Sequence, residues 1–153
     1  MTTRSAADAA ADLNATGHLR QLTTLTERLT GRLIEESRAF EARRPQDVAG
    51  GMAETRELAN LYRRESAQVK AHPELFAGGG LGERKALIRA TEAFEAVLAR
   101  HVLAVEAARV ISEGLVKAIA EEVASVRGSP SAYGSSGQAS ASDARAVAMN
   151  RTA

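Results

Sequence analysis

GERKALIRATEAFEAVLARHVLAVEAARVISEGLVKAIAEEVASVR, running from Gly82 to Arg127, is the stretch that decides the fold. Its apolar residues Leu87, Ile88, Phe94, Leu98, Val102, Val105, Ile111, Leu115, Ile119, Val123 and Val126 fall mostly three or four apart. That spacing is a helical stripe. No proline interrupts it, Gly114 is its one internal glycine, and alanine fills much of the remaining surface. Propensity and pattern therefore agree over about 45 residues, a rod of roughly 68 Å at about 1.5 Å per residue.

Working outward, the rest of the chain also reads as helix. Its 153 residues suit one domain, and an aromatic content of 3% with no Trp favours helix-on-helix packing over a sandwich or barrel. The fold class is all-α: an antiparallel three-helix bundle or coiled coil with an overlong third helix and a flexible C-terminal tail. From His18 to Arg44, Leu19, Leu22, Leu25 or Thr26, Leu29, Leu33, Ser37 and Phe40 alternate threes and fours as a coiled-coil seam does. Thr23, Thr24, Thr26 and Thr30 are mediocre helix formers, so this first helix depends on packing. Pro45 stops it, Asp47 is a candidate cap, and Gly50-Gly51 delays the second helix to Met52. Met52, Thr55, Leu58, Ala59, Tyr62 and Val69 mark its buried face, and His72-Pro73 ends it.

Between the second and third helices, Gly78-Gly79-Gly80 reads as a flexible connection, with Leu75 and Phe76 plugging one end of the bundle. The domain plan is a flexible lead-in over 1–17, a helical bundle over 18–127 and a disordered Ser/Gly/Ala-rich tail over 128–153. A short helix around Ala139 to Met149, with Val147 and Met149 as a faint apolar edge, is the alternative for part of that tail.

Charge and motif content narrow the function. A formal net charge of +1 with interleaved acids and bases gives no basic face for nucleic acid and no lysine-rich face for lipid. No apolar run of about 18 residues predicts membrane insertion, and the N-terminus lacks the apolar core of a secretory signal, so a cytoplasmic location is expected. The absence of Cys removes disulfides, thiolate chemistry and cysteine-based zinc sites. His18, His72 and His101 are scattered, with no HExxH or HxxxH spacing, so no metal ligands are assigned. The glycines from Gly78 to Gly82 follow no strand and precede no Gly-Lys-Ser or Gly-Lys-Thr, so no phosphate cradle or other cofactor site is assigned. The pairs Glu35-Glu36 and Glu121-Glu122 read as solvated carboxylates beside arginines rather than as acid/base machinery. No catalytic residue is assigned, and the expectation is that the protein is not an enzyme.

Helix lengths point to binding instead. In an up-down-up arrangement the partners of the third helix run out near Arg109 or Val110, leaving about 17 residues and their apolar face over. Ile111, Leu115, Val116, Ile119, Val123 and Val126 are therefore the expected partner-binding residues, since such a face is seldom left bare in a monomer.

Two stretches carry a family resemblance. Ala107 to Ile119, reading AARVISEGLVKAI, followed by Ala132-Tyr133-Gly134-Ser135-Ser136-Gly137, resembles the C-terminal part of the FlgN-type flagellar export chaperones. Those proteins show an Asn-Gly-x-Leu-Ile-like segment late in the last helix and a Tyr-Gly-x-x-Gly element after it. Here Glu113-Gly114-Leu115-Val116 stands in place of the Asn-Gly version. The opening helix, with Leu22, Leu25, Leu29, Leu33 and Glu35-Glu36, is similar as well. The resemblance implies a cytoplasmic helical chaperone that holds flagellar hook-filament junction proteins unassembled and delivers them to the flagellar export apparatus. It also implies a C-terminal binding region, which adds Tyr133 as an aromatic anchor. A monomer or weak dimer is expected.

Two competing readings are a structural, self-associating coiled-coil protein that pairs through the bare apolar face, and a phasin-like surface-coating helical protein, suggested by the Ala-rich amphipathic helices. If the tail buries nothing, deleting Gly128 to Ala153 leaves the melting temperature within about 2 °C of the full chain. A collapse of the thermal transition would show that the tail belongs to the fold.

Overall fold

The structure, a computed structural model, describes residues 5–128. All elements among them are helical: α1 (Ala6–Glu41), α2 (Met52–Ala71), the single turn α3 (Pro73–Phe76) and α4 (Leu81–Gly128), with short 3-10 turns at Pro45–Asp47 and Ala49–Gly51. α4 is 48 residues long and stays helical through Gly114. The chain divides into two compact units, Met1–Gly114 and Leu115–Ala153.

In the first unit α1 is the central element. Leu19, Leu22, Leu25, Thr26, Leu29, Leu33, Glu36 and Ser37 are all buried along it, the register that the alternation of threes and fours sets. Leu22, Leu25, Leu29 and Leu33 form one core with Leu58 of α2 and Phe94 of α4, and Ala59, Leu61, Tyr62, Val69, Leu87 and Val97 pack around it. Tyr62 meets Phe94 with ring centroids 4.8 Å apart, and burial pushes the Tyr62 hydroxyl above its ordinary range. α1 and α4 run parallel, since Arg20 bonds Glu83 at 2.6 Å near one end and Arg100 bonds Glu41 at 2.6 Å near the other. α2 runs antiparallel to α1: Thr55, near its start, meets Glu36, while Val69, near its end, shares a groove with Leu22.

The threonines of α1 keep their hydroxyls satisfied inside the helix. Thr23, Thr26 and Thr30 donate to the carbonyls of Leu19, Leu22 and Thr26 at 2.8, 2.7 and 2.7 Å. This back-bonding lets a fully buried Thr26 occupy a seam position without a partner from another helix.

α1 ends in a Schellman motif. The Arg44 N–H reaches the Ala39 carbonyl at 2.8 Å and the Arg43 N–H the Phe40 carbonyl at 3.0 Å, with Arg43 at φ 59°. That left-handed conformation usually falls to glycine, and Pro45 just beyond prevents the helix from resuming. α2 begins at Met52, as the glycine pair dictates, but Gly51 is its N-cap and Asp47 instead pairs with Arg44 at 3.3 Å.

Four expectations are corrected. The stretch read as a frayed lead-in is helical from Ala6, because Ser5 caps the start by accepting from the Ala7 N–H at 3.2 Å and the buried Ala15 and Leu19 are covered by the glycine turn. Residues 1–4 of that lead-in, and the tail from 129 onward with its Tyr-Gly-x-x-Gly element, lie outside the described residues. The glycine connection is closely packed: the Gly80 N–H bonds Thr16 Oγ1 at 3.1 Å, and a Cβ on Gly79 would lie 2.5 Å from Leu19 Cδ1. Met52 and Leu75 are exposed rather than buried, and Phe76 is half-buried, edge-on to His18 at 6.0 Å. On α4, Ala90, Phe94 and Ala104 are the buried residues, whereas Ile88, Leu98, Val102 and Val105 face outward. Phe94, with Leu87 and Val97 partly buried beside it, supplies the bulky α4 contacts to the core, and the other large aliphatic residues lie off that line.

These contacts set opposite outcomes for two glycines. Gly79→Ala should cost about 1–3 kcal/mol in urea unfolding, because its methyl group meets the buried Leu19. Gly31→Ala, a helix-interior site where a Cβ meets nothing within 4 Å, should gain up to about 1 kcal/mol.

Candidate functional site

Two features of the described residues exceed what folding requires: a buried polar level near the C-terminal end of α1 and an exposed apolar face late in α4.

The polar level lies where the α1 seam changes from leucine to Glu36 and Ser37. Thr55 of α2 donates to Glu36 Oε1 at 2.6 Å, and Arg32 Nε donates to Thr55 Oγ1 at 3.2 Å. From α4, His101 brings Nε2 to 3.6 Å from Glu36 Oε2 and Nδ1 to 3.3 Å from Ser37 Oγ. The Ser37 hydroxyl gives its proton to the Leu33 carbonyl at 2.7 Å, so it receives the hydrogen bond from His101 Nδ1. Phe40 stacks obliquely on the imidazole at 6.1 Å.

Glu36 is only 3% exposed, which corrects the reading of Glu35-Glu36 as two solvated carboxylates; Glu35 alone faces solvent, in an ion pair with Arg32 at 2.9 Å. A serine, a histidine and a carboxylate side by side suggest a catalytic triad, but Ser37 is 2% exposed and its proton is already bonded to a backbone carbonyl. The group therefore cannot present a nucleophile to a substrate, and what it can do is fix the register of three helices. The signal was present in the sequence: Glu36 and Ser37 occupy the seam, and His101 lies midway between Val97 and Ala104. Among the described residues no group of three or more His, Cys, Asp or Glu side chains could hold a metal ion.

Exposed ion pairs brace the α1–α4 contact on either side. Hydrogen bonds from Arg100 hold the Glu41 carboxyl below the usual carboxylate range, and those from Arg20 do the same for Glu83. Carboxyls lowered in the folded state support it above the carboxylate range, and that support is lost as the pH falls through their folded values.

The expected partner-binding residues divide between the units. In the first, Ala108 is the last half-buried residue of α4, and residues 109–114 are all exposed. This is the level at which helix-length arithmetic exhausts the partners of α4. Ile111 there lines a small pocket of about 140 Å³ with Phe40, Arg43, Pro45, Ala108 and Ser112. In the second, Leu115, Val116, Ile119, Val123 and Val126 lie on a helical segment and are 44% to 68% exposed. Tyr133 lies outside the described residues. A further apolar groove in the first unit, about 310 Å³ and absent from the sequence reading, runs between α1 and α2 and is lined by Leu22, Leu25, Leu61, Val69 and Phe76 with His18 at its rim.

A relative, the flagellar basal-body protein FlbY of Caulobacter vibrioides, is 47% identical over 148 residues, spanning 95% of this chain and 99% of the relative. The chain belongs to the FlbY family. The match spans both units of this FlbY-family chain, so the exposed segment lies within the shared length. No family model matches the chain, and no solved structure does. No helix among the described residues is long and apolar enough to cross a membrane.

Removing Glu36 takes a partner from both Thr55 and His101, and removing His101 leaves Glu36 with Thr55 alone. Glu36→Ala should therefore cost about 2–4 kcal/mol, with His101→Ala costing less. In a double-mutant cycle by urea unfolding, the two losses should fall short of additivity by more than about 0.5 kcal/mol. Additive losses would show that the pair does not act as a unit.

Proposed function

We propose that this protein is a cytoplasmic, non-enzymatic chaperone of the FlgN type. On this reading it binds flagellar hook-filament junction subunits, prevents their premature assembly and passes them to the flagellar export apparatus. The observation that carries the reading is the exposed aliphatic face of Leu115, Val116, Ile119, Val123 and Val126 in a member of a family named for the flagellum. The resemblance of residues 107–119 to the C-terminal segment of the FlgN-type chaperones supports it.

Physically, the face suits helix-in-groove recognition. Aliphatic residues recur at intervals of three and four and would receive the apolar stripe of an amphipathic helix from the client. Burying five such side chains contributes on the order of 10 kcal/mol gross, before the cost of ordering both partners. Little of that face contributes to the core of the first unit, so binding and stability should separate. The name of the relative favours a second reading, a protein held at the basal body itself, with the same face as its attachment point.

Co-expression with hook-filament junction subunits followed by co-purification tests the chaperone reading, which expects a complex that Ile119→Asp or Leu115→Asp reduces at least about 100-fold in affinity. The helical melt of either variant should stay within about 2 °C of the parent. Recovery with isolated basal bodies, and not with free junction subunits, would replace the chaperone reading with the second one. Equal loss of fold and binding would make these residues core.

A further inference from the structure

We infer that the helical segment from Leu115 to Gly128 pairs with the same segment of a second copy of this chain, parallel and in register, as a short two-stranded coiled coil. Val116, Ile119, Val123 and Val126 fall at intervals of three, four and three, the alternation of a heptad seam, and all four are exposed. Three of the four are valine and the fourth isoleucine. Branching at Cβ suits two strands at the level of Val116 and Val123 but not at that of Ile119 and Val126, so the core shape alone does not select two strands, and sedimentation equilibrium reads the strand number.

The charges indicate the occupant. At about 100° per residue, Glu122 and Arg127 lie roughly 70° to either side of the centre of the stripe, one on each flank. They are five residues apart, the separation at which a residue flanking one strand meets its counterpart on the other in a parallel, in-register pair. Two copies would thus make two Glu122–Arg127 contacts across the seam, one on each side. An antiparallel pairing would not bring these two positions together in the same way. The segment's other charges, Lys117 and Glu121, pair with each other at 3.9 Å on the face opposite the stripe. The segment therefore carries both halves of its own complementarity, which a surface shaped only for a client of different sequence has no need to do.

Two heptads make a small interface, so the pairing is weak, with a dissociation constant of roughly tens of micromolar. A weak self-pair would shield the aliphatic face until something binds it more tightly. That second step rests on the chaperone reading above; the pairing itself does not.

The full chain, followed by sedimentation equilibrium from about 5 to 500 μM, should pass from monomer to dimer. Glu122→Lys and Arg127→Glu should each weaken the dimer about tenfold, because each replaces two attractive contacts by two repulsive ones, and the double reversal E122K/R127E should restore it. The chain has no cysteine, so Val123→Cys reports on the seam directly: it should form an intermolecular disulfide under mild oxidation, and Glu121→Cys on the opposite face should not. Far-UV circular dichroism of each variant confirms that the helices persist.

A monomer throughout the range, or equal cross-linking at 121 and 123, would overturn the proposal and leave the face to a client or to the chain's own last residues. Failure of the double reversal to restore the dimer would overturn the parallel register. If the dimer behaves as expected and no variant captures a junction subunit, the self-pair stands and the chaperone reading falls.

Discussion

The first unit depends on one helix packing against two others at once. Leu22, Leu25, Leu29 and Leu33 of α1 form one core with Leu58 of α2 and Phe94 of α4, while Gln21, Thr24, Arg28, Gly31, Glu35 and Arg38 keep a solvated stripe along the same turns. A surface helix of a small protein usually buries one stripe and hydrates the rest. α1 follows that rule, and the polar residues within its seam, threonine and serine, satisfy their own hydroxyls within the helix. Ala90 and Ala104 are, with Phe94, the residues that α4 buries.

Near the C-terminal end of α1 the same seam turns polar. Glu36, Thr55, His101 and Ser37 replace further leucines, and each hydrogen bond there depends on the correct level of a neighbouring helix. An all-leucine seam can slip by a turn at modest cost, whereas a buried carboxylate that loses its partners cannot. The apolar part of the seam supplies most of the stability, and the polar level restricts the registers in which it is satisfied. At the other end, the close approach of Gly79 to Leu19 restricts the register sterically, so sliding is opposed from both directions.

Large aliphatic residues of α4 are exposed from Ile88 onward, and beyond Ala108 none of its described residues is even half-buried. Within the first unit the helix buries alanine and phenylalanine, whereas the aliphatic residues from Leu115 to Val126 are exposed. A face of this kind persists only when an occupant of matching shape is available for part of the protein's life, since bare aliphatic surface invites indiscriminate association. A flagellar client and a second copy of the chain make different demands on the flanking charges, and those charges are where the two occupants can be told apart.

Much of this was legible in the sequence for a simple reason: helical periodicity and punctuation are local. The spacing of the leucines in α1, the start of α2 at Met52 after two glycines and a long helix over Gly82 to Arg127, observed as Leu81–Gly128, follow from propensity, proline and glycine alone. The aliphatic run from Leu115 to Val126 was equally plain, because exposed and buried stripes obey the same period. What periodicity cannot supply is which neighbour a side chain meets. Tertiary structure alone decided that Ala15 and Thr16 of α1 meet the glycine turn, that His101 of α4 reaches Glu36 and Ser37, and that Ala90, Phe94 and Ala104 of α4 are buried while Ile88, Leu98, Val102 and Val105 are exposed. Each of these depends on distances between residues far apart in the chain. A sequence can specify such distances without displaying them, because the pairing lies in the packing and not in any one segment.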